Sequence, residues 1–209
     1  MKEEGKDPIV LDAGDFFFST TNLNQNNLES EEFRAGAILE GYDRIGCDAI
    51  NIGKYELLNG LSFLKEMSKK TEIPFLSANL RDSRTNELLF QPYKIIKRGE
   101  LSFGVIGITS LLPDTSTKVI ADDYIESGNK YINELSGKTD VIIMLINTDR
   151  KSQKDLSENL KNFIDNQQDK IRCYVISDGW QSSKVHQNRP ITIKGNDLFI
   201  LCKSKAQTD

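Results

Sequence analysis

The chain has 209 residues, of which 38% are hydrophobic and 28% charged, enough to build a core without staples. With 27 Lys and Arg against 31 Asp and Glu, the net charge is −4, which argues against nucleic-acid binding through a broad basic face. A single histidine, His186, excludes any catalytic scheme that needs two. Cys47, Cys173 and Cys202 cannot form a complete disulfide set, and none is spaced as Cys-x-x-Cys, so thiolate zinc sites and thioredoxin chemistry are disfavoured.

The first ten residues, MKEEGKDPIV, lack the apolar stretch of a signal peptide. No run approaches the ~18 apolar residues of a membrane span. Ile9 to Leu11 reads as a short strand ending in a turn at Ala13-Gly14-Asp15, followed by a polar loop over 19–27. Ala35, Ile38, Tyr42 and Ile45 recur at helical spacing, so a helix is predicted over 30–46, closed by Gly46. A strand over 49–52 ends at Gly53, a helix covers 59–69, and a strand runs from 74 to 78. Residues 93–97 and 101–108 predict a hairpin turning at Gly99-Glu100. A helix follows over 121–136, then an apolar strand over 141–146. Leu156, Leu160, Phe163 and Ile164 give a further helical face, 173–176 a strand, and 190–194 with 198–203 a closing hairpin through Gly195-Asn196-Asp197. The polar residues 204–209 form a tail.

Alternating strands and helices with intervening hairpins predict an α/β layered domain with a mixed sheet, spanning 1–209 as one unit. Sites in such folds form at the carboxyl ends of strands. Those ends carry Asp12 and Asp15, Gly53-Lys54-Tyr55-Glu56, Asn79, Asn147-Thr148-Asp149, and Ser177-Asp178-Gly179-Trp180. Of Phe16-Phe17-Phe18, one or two rings are expected in the core and the remainder in an interaction patch. The cysteines read as buried thiols and His186 as an exposed loop residue. Gly99-x-x-x-x-Gly104 is followed by Val105 and is no phosphate-binding P-loop.

The order LDAGDFFF, GYDRIGCDAINIGKYELLNG, IPFLSANLRD, PYKIIKRGELSFGVIGITS and DVIIMLINTD resembles the 5′-nucleotidase-type, calcineurin-like metallophosphoesterase domain over about residues 8–180. The resemblance implies a four-layer α/β/β/α sandwich holding two divalent metals. It also implies five ligand motifs: Asp-x-His, Gly-Asp, Gly-Asn-His-Glu, a lone His, and Gly-His-x-His. Asp-x-His would lie on a first strand expected to be missing here. Gly-Asp is matched by Gly14-Asp15, and Gly-Asn-His-Glu by Gly53-Lys54-Tyr55-Glu56, with Lys54 and Tyr55 at the ligand and catalytic positions. The lone His aligns with Asn147, and Gly-His-x-His with Ser177-Asp178-Gly179-Trp180.

Two divalent cations need several anionic or imidazole ligands, and a protonated lysine offers no lone pair. The degenerate motifs therefore predict no resident cofactor, with the Lys54 ammonium pairing with Asp15 in place of a metal. The expected function is a non-catalytic structural or binding subunit with a protein partner, Lys54, Tyr55, Asp178 and Trp180 filling the former site. The alternative is a metal-dependent phosphoesterase using Mn²⁺ or Zn²⁺ on Asp15, Asn147 and Asp178. A third reading is a nucleotide or phosphate sensor binding through Asp15, Lys54, Tyr55 and Asn79. The resemblance implies export, whereas the unpaired thiols and lack of a leader point to the cytoplasm. No C-terminal substrate-recognition domain is expected.

Overall fold

The computed structural model describes residues 7–114 and 117–147, together with the backbone of three later strands. Two sheets lie at its centre. The first is parallel, in the order β1 (Leu11–Asp12), β2 (Ala49–Asn51), β3 (Phe75–Leu76). The second runs β5 (Tyr93–Arg98), β6 (Leu101–Thr109), β8 (Val141–Asn147), β9 (Ile171–Ser177). Its first pair is the expected antiparallel hairpin, and β6, β8 and β9 are parallel.

Three buried clusters separate four layers. One packs the helices α1 (Leu28–Ile45) and α2 (Gly60–Ser68) on the first sheet through Ala35, Leu39, Leu61, Leu64 and Met67. The second fills the space between the sheets, where Leu11, Ala49 and Leu76 meet Val105, Ile143 and Leu145. The third packs α3 (Tyr124–Leu135) on the second sheet through Tyr131, Ile132 and Leu135. The seven-residue β8 is buried at every position, as a strand covered on both faces must be. This is the α/β/β/α sandwich that the sequence motifs imply.

Local chemistry sets the helix ends. At the end of α1, Gly46 adopts φ 73°, and the Cys47 N–H reaches back 2.9 Å to the Tyr42 carbonyl, closing the helix as expected. At the start of α3, Asp123 Oδ1 accepts from the N–H groups of Ile125 and Glu126 at 2.9 and 2.8 Å.

Two expectations need correction. Phe16, Phe17 and Phe18 are all buried, with Phe16 and Phe17 edge-to-face at 4.6 Å and Phe17 also against Phe63. No ring is left for an interaction patch. Loop geometry replaces strand alternation here, and the Arg34 guanidinium holds the turn by donating to the Phe16 and Phe17 carbonyls. The helix expected over 121–136 begins only at Tyr124, and residues 119–121 are extended. They form β7 (Val119–Ala121), paired antiparallel with β4 (Leu80–Asp82) in a small separate sheet.

The closing hairpin is present as β10 (Ile191–Ile193) and β11 (Asn196–Leu198), so Asn196 and Asp197 belong to a strand rather than the turn. The expected helix around 156–164, the side chains of Cys173 and Cys202, and Thr148, Asp149, Asp178, Trp180 and His186 lie outside the described residues. No described helix is long and apolar enough to cross a membrane.

Candidate functional site

The carboxyl ends of β1, β2 and β8 meet at one place, and a buried carboxylate organises it. Gly14 and Asp15 take the left-handed φ values of 98° and 67°, a conformation costly for a non-glycine residue. This double turn makes successive N–H groups converge, as in an anion-binding nest. Asp15 and Gly53 donate to Glu56 Oε2 at 2.7 and 2.8 Å, and Phe16 and Phe17 to Oε1 at 2.8 and 3.1 Å. Glu56 is fully buried, and the lost hydration raises its carboxyl to about 8, with the Asp15 charge adding to the rise and N–H bonds opposing it.

Gly14 also permits close approach. A Cβ there would lie 2.7 Å from the Gly53 nitrogen, so the two motif turns touch backbone to backbone. The Gly14 N–H is tied back to Asp12 Oδ1 at 2.7 Å, while Asp12 Oδ2 accepts from the Tyr42 hydroxyl. Burial, then the Asp12 charge, raises the Tyr42 phenol and keeps it a donor.

Around Gly53 the sequence candidates come together. A Cβ on Gly53 would stand 2.5 Å from Asp15 Oδ1 and 2.7 Å from Asn147 Nδ2. Asp15 Oδ1 accepts the Tyr55 N–H at 2.8 Å, and Asn147 Oδ1 accepts the Lys54 N–H at 3.0 Å. Lys54 thus enters the site through its backbone. Among the ion pairs of the described residues none joins Lys54 to Asp15, so the expected ammonium–carboxylate pair is not formed. The half-buried Tyr55 phenol is raised first by burial and then by the Asp15 charge.

Asn79 stands apart from this cluster. Its amide is buried and bonded to backbone, donating to the Thr109 and Asp122 carbonyls and accepting the Thr109 N–H at 3.0 Å. It is a strut between β6 and the loops beside it. Asn51, absent from the sequence candidates, does a similar job closer in. Its Nδ2 donates to the carbonyls of Ala13 and Ile108, joining the Asp15 turn to the second sheet. An Asn interrupting an otherwise apolar buried strand was the available signal.

Other proteins are similar to this chain in sequence and in fold. No family model matches the chain. It is 32% identical over 156 residues to the protein UshA of Salmonella pullorum, covering 68% of this chain and 26% of that protein. The 5′-nucleotidase of Vibrio cholerae is 29% identical over 147 residues, covering 66% of this chain and 25% of that one. The 5′-nucleotidase precursor of Thermus thermophilus superposes with a TM-score of 0.66 at 24% identity, over 94% of this chain and 39% of its own. The chain carries a 5′-nucleotidase-type metallophosphoesterase domain. It spans about a quarter of the length of these sequence relatives.

That membership overturns the expectation of no cofactor, because hydrolases of the 5′-nucleotidase type depend on divalent cations. The described residues of this metallophosphoesterase domain, however, do not make the family's two-ion set. Among them no three His, Cys, Asp or Glu side chains are grouped so as to hold a metal. Asp15 is the surviving carboxylate. The Asn147 oxygen faces the Lys54 N–H, so the atom turned toward Asp15 is an amide nitrogen, which cannot ligate. No chemical step is therefore derived through a metal.

Proposed function

We propose that the domain is the phosphate-ester-handling unit of a 5′-nucleotidase-like hydrolase, working at the Asp15–Gly53–Asn147 cluster. The observation supporting this most strongly is the intact scaffold of the site. The Gly14-Asp15 turn, the Gly53 turn and the four N–H bonds to Glu56 hold Asp15 in an unfavourable left-handed conformation. A chain with no use for that carboxylate gains nothing from such strain. Relatives named 5′-nucleotidase support the reaction class, hydrolysis of a phosphate monoester. The cation that relatives of this kind use would take Asp15 as an anionic ligand, and Asp178 is the further carboxylate that the motif alignment offers. Held there, such an ion would supply positive charge and Lewis acidity toward the phosphate group. An exported location, as the family resemblance implies, fits this reading.

The replacements Lys54 and Tyr55 favour a second reading, binding of a phosphate ester without turnover. Release of inorganic phosphate from adenosine 5′-monophosphate, with Mn²⁺ added to the full chain, separates the two. The expected result is Mn²⁺-dependent release that falls at least about 100-fold in Asp15→Asn. No release from the wild-type chain would leave only binding.

A further inference from the structure

Asn59 and Gly60 are the chain's single Asn-Gly pair, and they stand where the helical turn Tyr55–Leu57 passes into α2. Three observations set this pair apart from the asparagines of the 19–27 loop. Gly60 is exposed, takes the left-handed φ of 79° and has nothing within 4 Å of where a Cβ would sit, so no side chain shields its nitrogen. Its N–H is the first of α2, at the positive end of the helix, where no carbonyl of the helix accepts it. Asn59 occupies the N-cap position but makes no cap hydrogen bond; its Nδ2 instead donates to Glu32 Oε1 of α1 at 2.7 Å. A backbone nitrogen outside the helical ladder thus follows an amide held by a contact outside its own helix.

We propose that Asn59 is a deamidation site, and that its modification reverses the sign of the α1–α2 contact at Glu32. Hydroxide takes the Gly60 N–H proton, and the nitrogen attacks Asn59 Cγ; no Cβ at position 60 obstructs the rotation that brings the two together. The N–Cγ bond forms, the Cγ–Nδ2 bond breaks, and ammonia leaves with a proton from water. Water then adds to one carbonyl of the cyclic imide. Opening on one side gives aspartate, and on the other isoaspartate, whose backbone runs through the former side chain. Either product carries a carboxylate where the amide donor was, so a hydrogen bond to the Glu32 carboxylate becomes a like-charge pair. The aspartate side chain is then released to the unfilled cap of α2, whose first N–H groups favour an anion.

The test incubates the full chain in alkaline and in mildly acidic buffer and maps its peptides by mass. The expected result is a gain of about 1 Da on the peptide holding residues 59 and 60, resolved into aspartate and isoaspartate forms. The gain should be faster in alkali, where hydroxide starts the reaction, and absent in Asn59→Gln. Gly60→Ala would strain a left-handed position, so Asn59→Gln carries the comparison. A second measurement reads the contact. Glu32→Ala should lower the thermal midpoint of the unmodified chain and raise that of Asn59→Asp, because it removes a bond in one and a repulsion in the other. No mass gain at 59–60, or a gain confined to other asparagines, overturns the site. Midpoints that move in the same direction in both backgrounds overturn the reversal at Glu32.

Discussion

Glu56→Ala is expected to destabilise the domain by about 2–4 kcal/mol in chemical denaturation, more than a surface change of similar size. Each oxygen of Glu56 accepts two backbone N–H groups. An alanine removes both oxygens and leaves the four N–H groups buried without an acceptor, whatever the protonation state of the acid they had faced. A loss below about 1 kcal/mol would show that the turn is held by its aromatic packing instead.

The pH dependence carries a sign. The Glu56 carboxyl stands near 8 in the folded chain against an ordinary value of 4.5, so between these limits the folded state binds the extra proton. Its contribution to stability is therefore complete below about 4.5 and declines as pH rises toward 8. Denaturation midpoints of wild type should fall across that window more steeply than those of Glu56→Gln. Parallel profiles would place the titration elsewhere.

Gly53→Ala is the second large effect. Its φ is not in the left-handed region, so the backbone tolerates alanine, and the cost comes from contact. The added methyl would lie 2.5 Å from Asp15 Oδ1, 2.7 Å from Asn147 Nδ2 and 2.7 Å from the Asp15 nitrogen. Something must shift, and what can shift is the site. Phosphate-monoester binding should fall at least about 30-fold, alongside about 1–3 kcal/mol of stability, the usual cost of overpacking. Gly41→Ala in α1 is the control. Nothing lies within 4 Å of its Cβ position, and replacing a helical glycine should stabilise by about 0.5–1 kcal/mol without touching binding. If both variants bind alike, the close packing around Gly53 has no bearing on the ligand.

Much of the architecture is legible from local pattern. The Gly46 stop of α1, the β5–β6 hairpin and the apolar β8 each follow from periodicity and a turn residue within one short segment. Motif order then places Asp15, Lys54 and Asn147 at one site before any geometry is known. What local pattern omits depends on contacts between distant segments. A run of three phenylalanines has no alternation to say which rings turn inward, and α1 and α2 cover all three. The three-residue strands β4 and β7 find each other only through long-range register.

The Glu56 nest was readable only as a retained Glu in a motif. Its function requires that residues 40 positions away aim their N–H groups at it. The Lys54 side chain was expected to meet Asp15, an inference from charge alone. The Lys54 bond that the structure shows is instead from its backbone N–H, which fixes the Asn147 amide oxygen.

The most direct measurement is a map of ¹H–¹⁵N shift changes in the full chain as adenosine 5′-monophosphate is added. The backbone amides of Gly53, Lys54 and Tyr55 and the side-chain N–H₂ of Asn147 should move together in one saturable titration. Saturable shifts confined to other surfaces, such as the exposed Phe33 face of α1, would contradict a phosphate-ester site at this cluster.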